Sequence, residues 1–159
     1  MALLNLCDDK LLTSFNRDVL VLHQSGQIET KFTLPENLVL DNNSDDENDE
    51  SNDKSKNKQQ IGNKIQHFTL SADHQILAIA TEEKLLHLYK FPQFELISTR
   101  KISRTASRIR FSPDSKKLLV ADKTGDCFMF DCFMPEDPAQ WLLGHFSIVL
   151  DILYTPFQT

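Results

Sequence analysis

The residues best suited to chemistry in this chain are its cysteines and histidines. Cys127 and Cys132 are five positions apart, but a zinc site built on such a pair needs two further ligands. Cys127 begins a predicted strand and Cys132 follows its end, so we interpret both as buried or half-buried thiols. The histidines are scattered: His23, His67, His74, His87 and His145. None lies in an HExxH or triad-like signature, so the pattern predicts no catalytic site.

Phosphate binding is not indicated either. The chain has four glycines, too few for a phosphate-binding loop, and Asp122–Asp126 (DKTGD) matches neither an EF-hand nor a nucleotide motif. We interpret this segment as a turn between two strands, with Gly125 supplying a permissive backbone conformation. Two interpretations stay open for it, a solvated hairpin tip and a contact with a partner.

Seven basic residues are clustered in sequence. They are Arg100, Lys101, Arg104, Arg108, Arg110, Lys116 and Lys117. Basic side chains can contact RNA phosphates, but no aromatic residues alternate with these to stack on bases. Residues 100–108 lack strong periodicity, so a solvated basic loop is favoured over an RNA contact.

The charge of the chain is concentrated in one segment. Residues 41–60 hold seven acidic residues and three lysines, a net charge of −4 out of −6 for the whole chain, and no apolar residue. A segment of this composition cannot bury enough surface to offset its ordering entropy. We therefore expect residues 41–60 to be a disordered acidic insert. The chain has no apolar run long enough to span a membrane and no signal-peptide pattern, so its three cysteines are expected to be reduced thiols in a cell.

The rest of the chain alternates short apolar runs with polar turns, which predicts strands rather than helices. Residues 110–131 illustrate the pattern: a short strand, a turn at Ser112-Pro113-Asp114, an apolar strand over Leu118–Ala121, the DKTGD turn, and a strand over Cys127–Phe130.

This pattern repeats. Ser71, Asp73 and Leu77 match Ser112, Asp114 and Leu118 at an offset of 41 residues. A further copy begins at Ile152, 43 residues after Ile109. In the first segment, Leu11 and Leu22 lie 66 residues before Leu77 and Leu88. A repeat of 41–43 residues with four short strands is typical of a WD-repeat propeller blade.

The predicted fold class is therefore an all-β, incomplete WD-repeat β-propeller with about two full blades and parts of two more. Residues 1–40 are assigned to the first propeller strands, and residues 61–159 to further blades. Phe130-Asp131 stands where a Trp-Asp pair would close the third strand of a blade, and Gly144-His145 is the Gly-His pair expected ahead of an inner strand. Because seven blades need roughly 300 residues, we expect a fragment, a truncated isoform or an incomplete gene model.

Two segments carry a more specific resemblance. VADKTGDCFMFD at 120–131 and LLGHFSIVLDI at 142–152 resemble the WD-repeat non-catalytic subunit of the tRNA (guanine-N7) methyltransferase, the Wuho-like family. The resemblance covers residues 1–159 as an N-terminal portion of that family.

The resemblance implies a scaffold rather than an enzyme. In the family, the propeller binds and stabilises a catalytic methyltransferase subunit, and the heterodimer forms N7-methylguanosine in tRNA. It implies that the propeller binds no cofactor, since S-adenosylmethionine is bound by the partner subunit, and that tRNA is contacted mainly through the complex. It further implies no membrane contact and a location in the nucleus, with the cytoplasm as a second location. Asp122, Lys123 and Asp126 are the partner-binding residues it suggests, and Phe130, Asp131, Gly144 and His145 are structural blade markers.

A general WD-repeat adaptor, such as a substrate receptor of a ubiquitin ligase, is the alternative. The propeller fold alone does not separate the two functions. The segments 120–131 and 142–152 favour the methyltransferase subunit.

Overall fold

The computed structural model describes residues 4–7, 10–23, 25–35, 64–134 and 137–155. In these residues the chain forms three four-stranded antiparallel sheets, in which consecutive strands are neighbours. Each sheet is a meander because short polar turns connect its strands. The acidic insert predicted at 41–60 lies outside the described residues.

We call the sheets the first, second and third blade. The first blade consists of β1 (Leu4–Cys7), β2 (Lys10–Phe15), β3 (Asp18–His23) and β4 (Ile28–Thr33). The second consists of β5 (Ile65–Leu70), β6 (Ile76–Thr81), β7 (Leu85–Lys90) and β8 (Glu95–Lys101). The third consists of β9 (Ala106–Phe111), β10 (Lys117–Asp122), β11 (Cys127–Asp131) and β12 (Gln140–Leu142).

The prediction of an all-β chain built from propeller blades is confirmed. Three sheets, rather than about two, have all four strands. The difference arises because β1 and β12 are short, with the sequences LNLC and QWL, and give little periodic signal. The prediction of a loop over 100–108 is wrong in part: Arg100 and Lys101 end β8, and Arg108 lies in β9.

The blades pack face to face through alternating side chains, as the period of a strand requires. One apolar cluster joins the first and second blades, with Leu12 and Val21 on one side and Leu77 and Ile79 on the other. A second cluster joins the second and third blades; it includes Ala78, Leu86, Leu88, Leu118, Val120, Phe128 and Phe130. Hydrophobic burial between blades therefore holds the sheets together.

The first strand of each blade lies on the same side of the stack, because β1 contacts β5 and β5 contacts β9. The turn between the first two strands is the same in the second and third blades. Ser71 Oγ donates to Asp73 Oδ1 at 2.6 Å, and Ser112 Oγ donates to Asp114 Oδ1 at 2.5 Å. The 41-residue offset therefore corresponds to one structural repeat.

In the first blade, the predicted match of Leu22 with Leu88 is wrong. Val21 is buried towards the second blade as Leu88 is buried towards the third, so Val21, and not Leu22, corresponds to Leu88. Two residues separate β2 from β3, whereas three separate β6 from β7. The shorter turn moves the third strand of this blade by one residue, which places the neighbouring side chain on the opposite face.

Candidate partner-binding surface at the 122–126 turn

The carboxylate of Asp122 organises the turn between β10 and β11. Its Oδ1 accepts hydrogen bonds from the backbone N–H of Thr124 at 2.7 Å, Gly125 at 3.1 Å and Asp126 at 3.1 Å, and from the Thr124 hydroxyl at 2.7 Å. The residue is 1% exposed, and its Oδ2 is buried without a partner among the described residues. The structure therefore places Asp122 inside the turn, where it supports the exposed residues beside it.

Gly125 connects this turn to the segment that follows β12. Its backbone has φ +103°, a conformation that L side chains rarely adopt. A Cβ at this position would lie 2.5 Å from the carbonyl oxygen of Ser147 and 3.0 Å from that of His145. Only a glycine allows this approach, so the turn fixes the position of residues 145–147.

Lys123 and Asp126 are the other two predicted contacts. Lys123 is exposed at the tip and Asp126 is half-buried. In the part of the chain that the structure describes, Lys123 makes no ion pair. The exposed ammonium group is therefore available to a negatively charged group from outside; that a partner uses it stays a prediction.

Arg108 and the half-buried ring of His67 lie near Lys123, and Arg108 adds a second positive charge there. Burial, together with the smaller effects of the charges of Arg108 and Lys123, lowers the pKa of His67 to about 4. His67 lies in β5 and Arg108 in β9, so the group spans two blades. The two residues are 41 positions apart and occupy equivalent places in successive blades, a sequence signal that could have identified the cluster.

The two basic side chains of β9, Arg108 and Arg110, contact the segment 149–152. Arg110 Nε donates to the carbonyl oxygen of Ile152 at 2.9 Å. Asp151 Oδ1 lies 3.7 Å from Arg110 Nη2 and 3.9 Å from Arg108 Nε. Ser107 Oγ donates to the carbonyl oxygen of Val149 at 2.9 Å. These contacts give Arg108 and Arg110 a role within the chain that the solvated-loop interpretation missed.

Two of the predicted blade markers lie at the end of β11. The ring of Phe130 is buried, and the guanidinium carbon of Arg100 lies 4.7 Å from its centroid. Asp131 Oδ1 accepts a hydrogen bond from the backbone N–H of Phe133 at 2.9 Å. Phe130 thus packs between the second and third blades, and Asp131 stabilises the turn after β11.

The other two markers, Gly144 and His145, are exposed. Gly144 has φ +146° and open space around its α-carbon. His145 makes no side-chain hydrogen bond within the described residues, and its role as a blade marker stays a prediction.

The candidate metal and nucleophile residues are inert here. Cys127 and Cys132 are buried free thiols, as predicted. Burial raises the pKa of Cys127, and raises that of Cys132 to about 12, which keeps both protonated. No group of three histidine, cysteine or acidic residues suited to a metal ion occurs among the described residues.

In the part of the chain that the structure describes, no helix has the length and apolar character needed to cross a membrane.

Comparison with known proteins adds sequence relatives. Residues 35–142 match the family model of the tRNA methyltransferase TRM82 WD40 domain. The chain is 46% identical over 98 residues to the tRNA (guanine-N(7)-)-methyltransferase non-catalytic subunit wuho of Drosophila yakuba, covering 59% of this chain and 23% of the relative. The corresponding subunit of Drosophila willistoni is 48% identical over 97 residues, with the same coverage. The match therefore spans about a quarter of the length of these relatives.

Solved structures show the same fold at low identity. Sqt1 of Saccharomyces cerevisiae aligns with a TM-score of 0.69 and 16% identity, covering 98% of this chain and 39% of Sqt1. A chain of the mitotic checkpoint complex aligns with a TM-score of 0.64 and 16% identity, covering 92% of this chain and 37% of that chain. At this identity the likeness concerns the fold alone.

Proposed function

Because the chain belongs to the tRNA methyltransferase TRM82 WD40 domain family, we propose that it forms propeller blades of a non-catalytic subunit. That subunit binds and stabilises a separate catalytic subunit, and the pair forms N7-methylguanosine in tRNA. The observation that carries the proposal is the identity of 42–48% to relatives named as non-catalytic subunits of this methyltransferase.

The chemistry of the chain supports a scaffold role. Its buried thiols are protonated. Burial lowers the pKa of His67 and of His87 to about 4, so both are neutral at pH 7. Neither histidine is assigned to a reaction here, and S-adenosylmethionine is assigned to the catalytic subunit. A location in the nucleus, with the cytoplasm as a second location, is part of the same proposal.

The exposed tip at Lys123 is the part of the surface that we assign to the catalytic subunit. The positive charges of Lys123 and Arg108 are close enough to lower the pKa of His67, and Lys123 has no acidic partner in the described residues. A carboxylate on the partner would stabilise this cluster and steer association. Asp122 contributes by holding the turn in shape, and Asp126 flanks the same tip.

Co-expression with a catalytic tRNA guanine-N7 methyltransferase subunit tests the proposal. The chain carries an affinity tag, and co-purification of the catalytic subunit and the N7-methylguanosine content of added tRNA are both measured. We expect co-purification and methylation above that of the catalytic subunit alone. Absence of both would overturn the proposal, and capture of ubiquitin-ligase subunits instead would favour the adaptor function.

Two charge reversals then locate the contact. Lys123→Glu is expected to weaken binding of the catalytic subunit at least tenfold, since a rim charge pair becomes a repulsive one. Lys116→Glu is the matched control, because Lys116 lies in the turn at the opposite end of β10. If both variants bind the catalytic subunit equally well, the 122–126 turn is not part of the interface. The proposed function as a non-catalytic subunit would not be contradicted by that result.

A further inference from the structure

A groove between the second and third blades is not used by the function proposed above. It has a volume of about 200 Å³ and lies where the end of β8 faces β11 and β12. Ile102, Phe128, Phe130, Ala139 and Trp141 supply its apolar lining. Small-molecule pockets are usually larger than about 300 Å³, so a space of this size suits one large side chain rather than a cofactor.

Trp141 is the most unusual residue in the groove. It is the single tryptophan of the chain and is 55% exposed, although it lies beside an apolar space. It pairs with Phe128 across β11 and β12, and the two rings meet edge to face with centroids 4.4 Å apart. This packing fixes the orientation of the indole while leaving much of it in water. Exposed aromatic rings of this kind are typical anchors of protein interfaces.

Among the described residues, the one charged side chain that lines the groove is positive. Lys101 is the only charged residue among the described residues that line it. The guanidinium of Arg100 lies over the ring of Phe130, and its Nη1 donates to the carbonyl oxygen of Asp137 at 2.8 Å. An occupant that places an apolar side chain in the groove would therefore meet Lys101 as the one charged side chain among the described residues that line it.

The groove is formed by two blades that each have all four strands. Its walls come from β11, β12 and the end of β8. The segment 149–152, by contrast, contacts the inner strand β9. Ala121, Cys127 and Ile152 form a separate apolar cluster on the other face of the third blade. The groove and this cluster therefore lie on opposite faces of that blade.

We propose that this groove binds a short acidic peptide segment of another protein, which inserts one aromatic or large aliphatic side chain against Trp141. A carboxylate beside that side chain pairs with Lys101. The proposal does not depend on the methyltransferase function, because none of the residues of the 122–126 turn lines the groove.

The fluorescence of Trp141 provides a direct test, because no other tryptophan contributes. The whole chain is titrated with the peptide acetyl-Glu-Asp-Phe-Leu-Glu-amide, and with two matched peptides that replace either Phe-Leu with Ala-Ala or the acids with lysine. We expect a saturable blue shift with the first peptide and at least tenfold weaker binding of the other two. No saturable shift with the first peptide, or equal binding of all three, would overturn the proposal.

Variants check that the signal comes from the groove. Lys101→Glu is expected to weaken binding of the first peptide about fivefold, which is the effect expected for loss of a surface ion pair. Lys90→Glu, at the opposite end of the β7–β8 pair, is the control and should bind like the wild type. Trp141→Ala, followed by calorimetry, should abolish binding, and its circular dichroism spectrum reports whether the blades remain folded. Unchanged binding by Trp141→Ala, or a shift produced by a short oligouridine and not by the peptide, would contradict the proposal.

Discussion

Gly125 lies directly against Ser147, since a methyl group on its α-carbon would be 2.5 Å from the Ser147 carbonyl oxygen. The turn between β10 and β11 is therefore locked to the segment after β12 by a backbone contact. Substitution at Gly125 introduces both a steric clash and a strained positive φ.

Gly125→Ala is expected to lower the free energy of unfolding by about 3 kcal/mol, of which roughly 1 kcal/mol comes from the left-handed backbone and the rest from the clash. Urea unfolding followed by circular dichroism measures the change. Gly26→Ala is the matched control, because Gly26 has φ +81° but open space around its α-carbon. Equal losses in the two variants would show that the contact with Ser147 is absent in solution.

Asp122 and Asp126 lie in the same turn but differ in their bonds. Asp122→Ala is expected to lower the free energy of unfolding by about 2–3 kcal/mol. It removes the carboxylate bonds to Thr124 and Asp126 and leaves the buried N–H of Gly125 with only the 3.4 Å bond to the carbonyl oxygen of residue 122. Asp126→Ala should cost less than about 0.5 kcal/mol, as a substitution near the surface. Urea midpoints of both variants, compared at pH 7, give the measurement. A neutral Asp122→Ala would mean that the carboxylate does not hold the turn.

The repeated turns were predictable because their chemistry is local. Ser71 and Ser112 each bind an aspartate two residues later, and each accepts a bond from a backbone N–H five residues later, at 2.9 Å in both blades. All the atoms involved lie within six residues of sequence. A serine and an aspartate at this spacing, repeated after 41 residues, therefore indicate the turn without any knowledge of packing.

The sequence predicts the turn at residues 122–126 but not the arrangement of its side chains. Asp122 is buried because the turn folds back over its carboxylate, and the sequence pattern alone does not show this. Lys123 is 56 positions from His67, so their proximity, unlike the 41-residue spacing of His67 and Arg108, depends on how two blades pack. The shift from Leu22 to Val21 has the same origin, since one residue fewer in a turn leaves no mark on hydrophobic composition.

Two histidines with lowered pKa values, the buried His87 and the half-buried His67, predict a loss of stability in mild acid. His87 is fully buried, its Nδ1 is hydrogen bonded to Thr99 Oγ1 at 2.9 Å, and burial lowers its pKa from 6.5 to about 4. The unfolded chain therefore binds a proton at His87 before the folded chain does. The contribution of neutral His87 to the free energy of unfolding is complete above pH 6.5. This contribution, about 3 kcal/mol, is lost as the pH falls from 6.5 towards 4.

Urea unfolding at pH 7 and pH 4.5 measures this effect. His87→Gln is expected to be less stable than the wild type at pH 7 but to lose less stability between the two pH values. His67, whose pKa is also lowered to about 4, contributes in the same window, so His67→Gln serves as a separate comparison. Asp73 and Asp114 have lowered pKa values, and their contributions are lost only at more acidic pH. An identical pH dependence for wild type and His87→Gln would contradict the assignment.

The pKa of His67 reports directly on the proposed partner surface. Lys123→Gln removes one of the two positive charges that lower it, so the pKa of His67 is expected to rise, although burial, the larger cause, keeps it below 6.5. NMR titration of the imidazole C–H resonances measures the change, and His67→Gln identifies the resonance. Lys116→Gln removes a charge of the same sign from the opposite end of β10 and should leave the pKa of His67 unchanged. Equal responses to the two lysine substitutions would mean that Lys123 does not lie beside His67, and the positive cluster assigned to the catalytic subunit would then lose its physical basis.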